Sequence, residues 1–152
     1  MDAPVEPIAD SVLNDWVVLI AQIGLLAAFV LVAIDAWPLK LPSLIGLGIA
    51  LCILVASRVG LGNSFRVLAS PNGKGLKRSG IYGFVRNPMY LGLLLAAGAV
   101  CLSSRSLSWI LFAFLLTVLL AKVRAEENYL KDTYPEYLDY AKRTKCLIPW
   151  VW

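Results

Sequence analysis

Two short polar stretches interrupt an otherwise apolar chain of 152 residues, and both carry residue types that bind charged groups. The first, residues 78–92, contains Arg86-Asn87-Pro88 flanked by Tyr82 and Tyr90, with Gly80, Gly83 and Gly92 interspersed. Asn is a favoured N-cap and Pro a favoured first helical residue, so this stretch predicts a helix start. The N–H groups and positive dipole end of such a start suit a carboxylate. Arg86 adds a charge-assisted donor for the same group. The second stretch is Glu126-Glu127, where a carboxylate turned inward could bind an ammonium. Together the two places could hold a zwitterion of the amino-acid kind.

Each feature also has a plainer account. Asn87-Pro88 could only start a helix, Arg86 could be a snorkelling arginine at a membrane boundary, and Tyr82 and Tyr90 could be interfacial belt residues. The glycines would allow close approach of a ligand or of a neighbouring helix. Glu126 and Glu127 could form a solvated helix face with Lys122 and Lys131, both at i,i+4 spacing. Adjacent helical residues point roughly 100° apart, so the two glutamates are not expected to share one task.

The elements that must position these residues are apolar runs. Hydrophobic residues make up 59% of the chain and charged residues 16%, with a mean hydropathy of +0.73. A soluble domain of this size could not hide that much apolar surface. The runs Trp16–Ile34, Leu41–Ala56, Met89–Leu102 and Leu107–Ala121 predict an all-α, polytopic membrane protein with about four transmembrane helices, a single domain over 1–152. Gln22 is the one strongly polar residue in the first run. Gly46 and Gly48 in the second would admit a close helix neighbour. Pro71-Asn72-Gly73 marks a turn in the polar break at 60–80. Beyond Ala121 the fourth helix is expected to continue into water until Pro135, followed by a short amphipathic piece, Glu136–Arg143, and an interfacial anchor at 147–152.

Charge orients the chain. Arg58, Arg66, Lys74, Lys77, Arg78 and Arg86 lie between the second and third runs, and Lys122, Arg124, Lys131, Lys142, Arg143 and Lys145 follow the fourth. The opposite turns hold only Lys40 and Arg105. The positive-inside rule therefore puts both polar stretches, and the helical C-terminal extension, on the cytoplasmic side. The acidic N-terminus lacks the positive leader of a cleaved signal peptide. There is no histidine, which excludes imidazole bases and histidine-ligated metals, and no metal is expected. Cys52, Cys101 and Cys146 are too scattered for a disulfide framework. The net charge of +4 is not gathered into a basic face with aromatics, so nucleic acid is not expected as a partner.

The segment Gly80-x-Tyr82-x-x-x-Arg86-Asn87-Pro88-x-Tyr90-x-Gly92 resembles the Gly-x-Tyr…Arg-His-Pro-x-Tyr-x-Gly signature of the isoprenylcysteine carboxyl methyltransferase family. Asn-Pro-Met-Tyr also resembles the corresponding segment of phosphatidylethanolamine N-methyltransferases. Glu126-Glu127-x-x-Leu130, then Tyr134-Pro135-Glu136-Tyr137-x-x-Tyr140 and Ile148-Pro149, is similar to the C-terminal block of the same superfamily. The resemblance spans about residues 60–150.

It implies an integral-membrane enzyme that uses S-adenosylmethionine, held between the third and fourth spans and the cytoplasmic tail. Tyr82, Arg86, Asn87, Pro88, Met89, Tyr90, Gly92 and one of Glu126 and Glu127 would contact the cofactor, with Leu76 and Lys77 in a further contacting segment at 74–77. Asn87 stands where members that methylate prenylated cysteine carry His. Lys122 stands where they usually carry Arg, at a position associated with the substrate. The Asn form is consistent with a phospholipid or other lipophilic acceptor, which would enter sideways from the bilayer. Two other readings of the composition are a non-catalytic scaffold that binds anionic lipid head groups and a membrane reductase of the sterol-reductase kind.

Overall fold

A computed structural model describes residues 8–62, 78–105 and 107–148. The candidate residues Leu76 and Lys77, the turn at 71–73, and Pro149 with the last three residues lie outside the described residues. The described chain is all-helical: α1 (Ile8–Asp35), α2 (Leu41–Leu61), a 3-10 turn (Gly80–Gly83), α3 (Pro88–Ser103), α4 (Leu107–Thr133) and α5 (Tyr137–Arg143).

Three of these helices, α1 from Trp16, α2 and α4, are long and apolar enough to cross a membrane, and α3 is a shorter apolar helix. At 16 residues, α3 is about 24 Å long, less than the roughly 30 Å of a bilayer's hydrocarbon core. The outward faces are apolar: Val17, Ile20, Ile23, Val30, Leu31 and Ile34 on α1, and Leu44, Ile49, Leu51 and Val55 on α2, are exposed. Helices apolar on every face have no place in water and are at home in lipid.

Two kinds of packing hold the bundle. The first is close approach through small residues, between α2 and α3. A Cβ at Gly46 would lie 2.8 Å from the Cβ of Ala99, and one at Gly92 would lie 2.8 Å from Cγ of Leu54. Gly48, which the sequence marked equally, meets nothing within 4 Å. It sits on the other face of α2, because residues two apart do not share a helix face. Ser43 and Ser103 close the far end of the same pair with a hydroxyl–hydroxyl hydrogen bond of 2.6 Å.

The second is an apolar core shared by Phe29 of α1, Leu94, Ala97 and Val100 of α3, and Leu115, Leu119 and Val123 of α4, capped by Cys146 and Leu147. The C-terminal segment is thus an integral part of the core. α4 runs 27 residues without a break, about 40 Å at 1.5 Å per residue, so its last turns extend beyond a bilayer's apolar thickness. It ends at Thr133, just before Tyr134-Pro135, as the sequence predicts.

Candidate active site

The site is built where three elements converge: the stretch before α3, the far end of α4, and the segment around α5. Pro88, fully buried, is the first residue of α3, with Asn87 at its N-cap position. The preceding residues pair with the C-terminal segment as one parallel bridge, Val85 to Lys145. Arg86 N–H donates to the Lys145 carbonyl at 2.8 Å, and Asn87 N–H to the Cys146 carbonyl at 3.1 Å. The chain end is thereby fixed against the start of α3.

Arg86 is the hub. Its Nε donates to Oε1 of Glu127 at 2.8 Å and its Nη2 to Oε2 at 3.3 Å. Its Nη1 donates to the carbonyls of Ala141 and Thr144. Both side chains of the ion pair are only 13% exposed. Burial alone would disfavour the Arg86 charge, but the hydrogen bond and charge of Glu127 outweigh it and raise the Arg86 pKa further. Asn87 does not cap the helix with its side chain. Its Nδ2 donates instead to Oε1 of Glu127 at 3.2 Å and to the Cys146 carbonyl at 3.1 Å. A helix start whose cap side chain is turned away keeps its first-turn N–H groups without that partner.

Cys146 completes the cluster. Its thiol donates to Oε1 of Glu127 at 3.3 Å. Burial and then the Glu127 charge push it up to about 11, so it stays a protonated thiol. Tyr137, 1% exposed, is held against the same group. Burial, then the charge of the Glu127 carboxylate that its hydroxyl faces, raises its pKa.

Glu126 points elsewhere. Its Oε1 accepts from the Tyr90 hydroxyl at 2.5 Å. Above the Tyr90 ring, 5.8 Å from its centroid, sits the ammonium of Lys122. Lys122 also donates to Oε1 of Gln22 in α1 at 3.2 Å. The neighbouring glutamates therefore take two different jobs, as helix geometry requires. Glu127 is held in an internal ion pair by Arg86, where the plain helix-face account had set it beside Lys131. Glu126 stands in a second cluster with Tyr90, Lys122 and Gln22.

The other candidates from the sequence lie around these two clusters. Tyr82 is buried; its hydroxyl donates to the Ser57 carbonyl of α2 at 3.4 Å, and its own carbonyl accepts from Tyr140 at 2.7 Å. Gly80 has φ +63°, a left-handed conformation that favours glycine. Gly92 serves the close approach of α2, and Met89 is half-buried on the first turn of α3.

The residues that sequence reasoning missed are Gln22, Cys146, Tyr137 and the carbonyls of Ala141 and Thr144. Gln22 had a signal, a lone amide in an apolar span. Backbone carbonyls have none.

The sequence profile of a family described as phospholipid methyltransferase matches residues 42–137, well over half of the chain. Comparison with curated proteins and with solved structures finds no match in either.

Proposed function

The chain belongs to the phospholipid methyltransferase family, and we propose that it transfers a methyl group from S-adenosylmethionine to a lipophilic acceptor where α3 and α4 leave the bilayer. The observation that carries this reading is the split between Glu126 and Glu127. Arg86 and Glu127 are spent on each other and on the C-terminal segment, and so brace the site. Glu126 and Tyr90 stand beside them on the inner ends of α4 and α3.

The donor set fits the amino-acid end of that cofactor. The Glu126 carboxylate, with the Tyr90 hydroxyl beside it, would hold an ammonium, and the first-turn N–H groups of α3 at Met89 and Tyr90 would hold a carboxylate. Asn87, Pro88 and Gly92 set the position of that turn.

When bound, the cofactor supplies a methyl group already activated on a sulfonium, so the protein need not generate a strong electrophile. The chain's own work is to orient and to exclude water. The Arg86 fork fixes the α3 start against α4. Cys146, Leu147 and Tyr140, all buried, close the cytoplasmic side of the core. Loop charge supports the cytoplasmic placement, since Arg58, Arg78 and Arg86 on one side and Lys142, Arg143 and Lys145 on the other flank the site. The acceptor would reach it sideways from lipid, where the spans present apolar faces.

Two measurements test this. Purified protein titrated with S-adenosylhomocysteine in a calorimeter should bind, and tritiated-methyl transfer over membrane lipid extracts and small lipophilic thiols should label one chemical class. Absence of both binding and transfer refutes the reading.

A further inference from the structure

Along α1 the buried positions Leu19, Gln22 and Phe29 recur at helical spacing and face the bundle, while Ile20, Ile23 and Val30 beside them are exposed. Gln22 thus occupies a place on the inward stripe that an apolar residue would fill without cost. A buried amide in a membrane span is costly unless it is partnered, and a polar residue kept there points to function. Gln22 is 8% exposed and lies outside the segment that matches the family profile.

What the amide does is set by its partner. Its Oε1 accepts from Nζ of Lys122 at 3.2 Å, across from α1 to α4. The same Nζ lies 5.8 Å from the centroid of the Tyr90 ring, and the Tyr90 hydroxyl donates to Oε1 of Glu126. A lysine carries a compact ammonium on a flexible four-carbon stem, so its acceptors decide where it rests. The amide draws this one toward α1 and across the ring, where a cation is attracted to the aromatic face. The ring of Tyr90 is therefore held twice, at its face by Lys122 and at its hydroxyl by Glu126. A chain of contacts runs from α1 to the pair assigned above to the cofactor's ammonium.

We propose that Gln22 is a positioning residue for the cofactor end of the site: through Lys122 it fixes the Tyr90 ring, and with it the Tyr90–Glu126 pair, in the arrangement that receives the cofactor. It acts without touching the cofactor. The inference deepens the methyl-transfer reading and rests on it for the identity of the ligand, but the coupling of Gln22 to Tyr90 can be read with no ligand present. The site then extends into α1, beyond the segment that the family profile covers.

The decisive variant is Gln22→Met, which keeps the side-chain volume and suits lipid but offers the ammonium no oxygen. Gln22→Glu keeps an acceptor oxygen at the same place. Both are purified in detergent beside wild type, Lys122→Met and the double variant Gln22→Met/Lys122→Met. One set carries 3-fluorotyrosine at the six tyrosines, with Tyr90→Phe identifying the Tyr90 fluorine resonance. A second, unlabelled set is titrated calorimetrically with S-adenosylhomocysteine, and thermal unfolding is recorded for all.

In the ligand-free protein, Gln22→Met and Lys122→Met should each move the Tyr90 resonance, and the double variant should move it no further than Lys122→Met. S-adenosylhomocysteine affinity should fall by roughly fivefold or more in Gln22→Met, the size of a coupling between neighbouring side chains. Gln22→Glu should restore it, and Gln22→Met should cost nothing more once Lys122 is already Met. Unfolding of Gln22→Met should match wild type. A Tyr90 resonance unmoved by Gln22→Met overturns the proposal. So does a full additional loss of affinity from Gln22→Met in the Lys122→Met background, which would make Gln22 a strut between helices. A wild type that binds no S-adenosylhomocysteine refutes the methyl-transfer reading, while the fluorine spectra still decide whether Gln22 sets Tyr90.

Discussion

The guanidinium of Arg86 and the carboxylate of Glu127 meet as a two-point fork, Nε to Oε1 at 2.8 Å and Nη2 to Oε2 at 3.3 Å. This single pair joins the start of α3 to the end of α4, and the remaining guanidinium nitrogen carries the link to the carbonyls of Ala141 and Thr144. Three separate pieces of chain are thus held by one planar cation. The sequence motif around Arg86 reads as ligand chemistry; in the structure its charge also does architectural work, tying the α3 start to α4 and to the chain end.

The first expected outcome concerns that fork. Breaking a largely buried ion pair from one side leaves an uncompensated charge and costs about 3–5 kcal/mol. Arg86→Ala and Glu127→Ala should each lower the thermal unfolding temperature in detergent by several degrees. Arg86→Lys should not restore it, because an ammonium cannot span two carboxylate oxygens and two carbonyls. Unfolding temperatures equal to wild type in both alanine variants would falsify the bracing role.

Separating the two glutamates is the second test. Glu126→Gln and Tyr90→Phe should weaken S-adenosylhomocysteine binding, by about tenfold or more for the lost charge-assisted contact, with little change in unfolding temperature. Glu127→Gln should do the reverse, losing stability first. Calorimetric titration and thermal unfolding of the same preparations give both columns of the comparison. If Glu127→Gln alone abolished binding in a fully folded protein, the assignment would have to be exchanged.

Thiol chemistry offers a third handle. The Cys146 thiol is pushed up to about 11 by burial and by the Glu127 charge. At pH 7.5 its thiolate fraction is therefore below roughly one in a thousand. In a Cys52→Ser, Cys101→Ser background, iodoacetamide should modify Cys146 far more slowly than an ordinary exposed thiol. Glu127→Gln removes the carboxylate charge that, after burial, raises the thiol most, so alkylation at the same pH should accelerate. Intact-mass measurement over time reads this directly, and equal rates with and without Glu127 would contradict the contact.

Much of this arrangement is legible in the sequence, for physical reasons. Spans follow from apolar runs, the α3 start from Asn87-Pro88, and the α4 overrun and its stop from charge spacing and Pro135. The convergence of residues near 86 with residues near 127 follows from a short helical hairpin that returns the chain to the same face. The assignment within the cluster was not legible. Which of two adjacent glutamates turns inward depends on the rotation of α4 about its axis, set by Leu115, Leu119 and Val123 in the core. That the Arg86 fork takes carbonyls of residues 141 and 144 depends on how the chain end folds back, and backbone acceptors carry no sequence signal.

Helix approach gives the last prediction, and it separates two glycines that look alike in sequence. A methyl at Gly46 would lie 2.8 Å from the Cβ of Ala99. Ala99 is buried and has no rotamer with which to retreat, so the backbones of α2 and α3 must part. Overpacking of this kind costs about 1–3 kcal/mol. At Gly48 a methyl meets nothing within 4 Å, and alanine is the better helix former. Gly46→Ala should therefore lower the unfolding temperature in detergent, while Gly48→Ala should leave it level or raise it. The effect should reach the site as well, because α2 carries the Ser57 carbonyl that receives the Tyr82 hydroxyl and α3 carries Tyr90. Weaker S-adenosylhomocysteine binding in Gly46→Ala, absent in Gly48→Ala, would show that close α2–α3 packing sets the cofactor end of α3. Indistinguishable behaviour of the two variants would mean that the approach of α2 to α3 at Gly46 is not tight enough to matter.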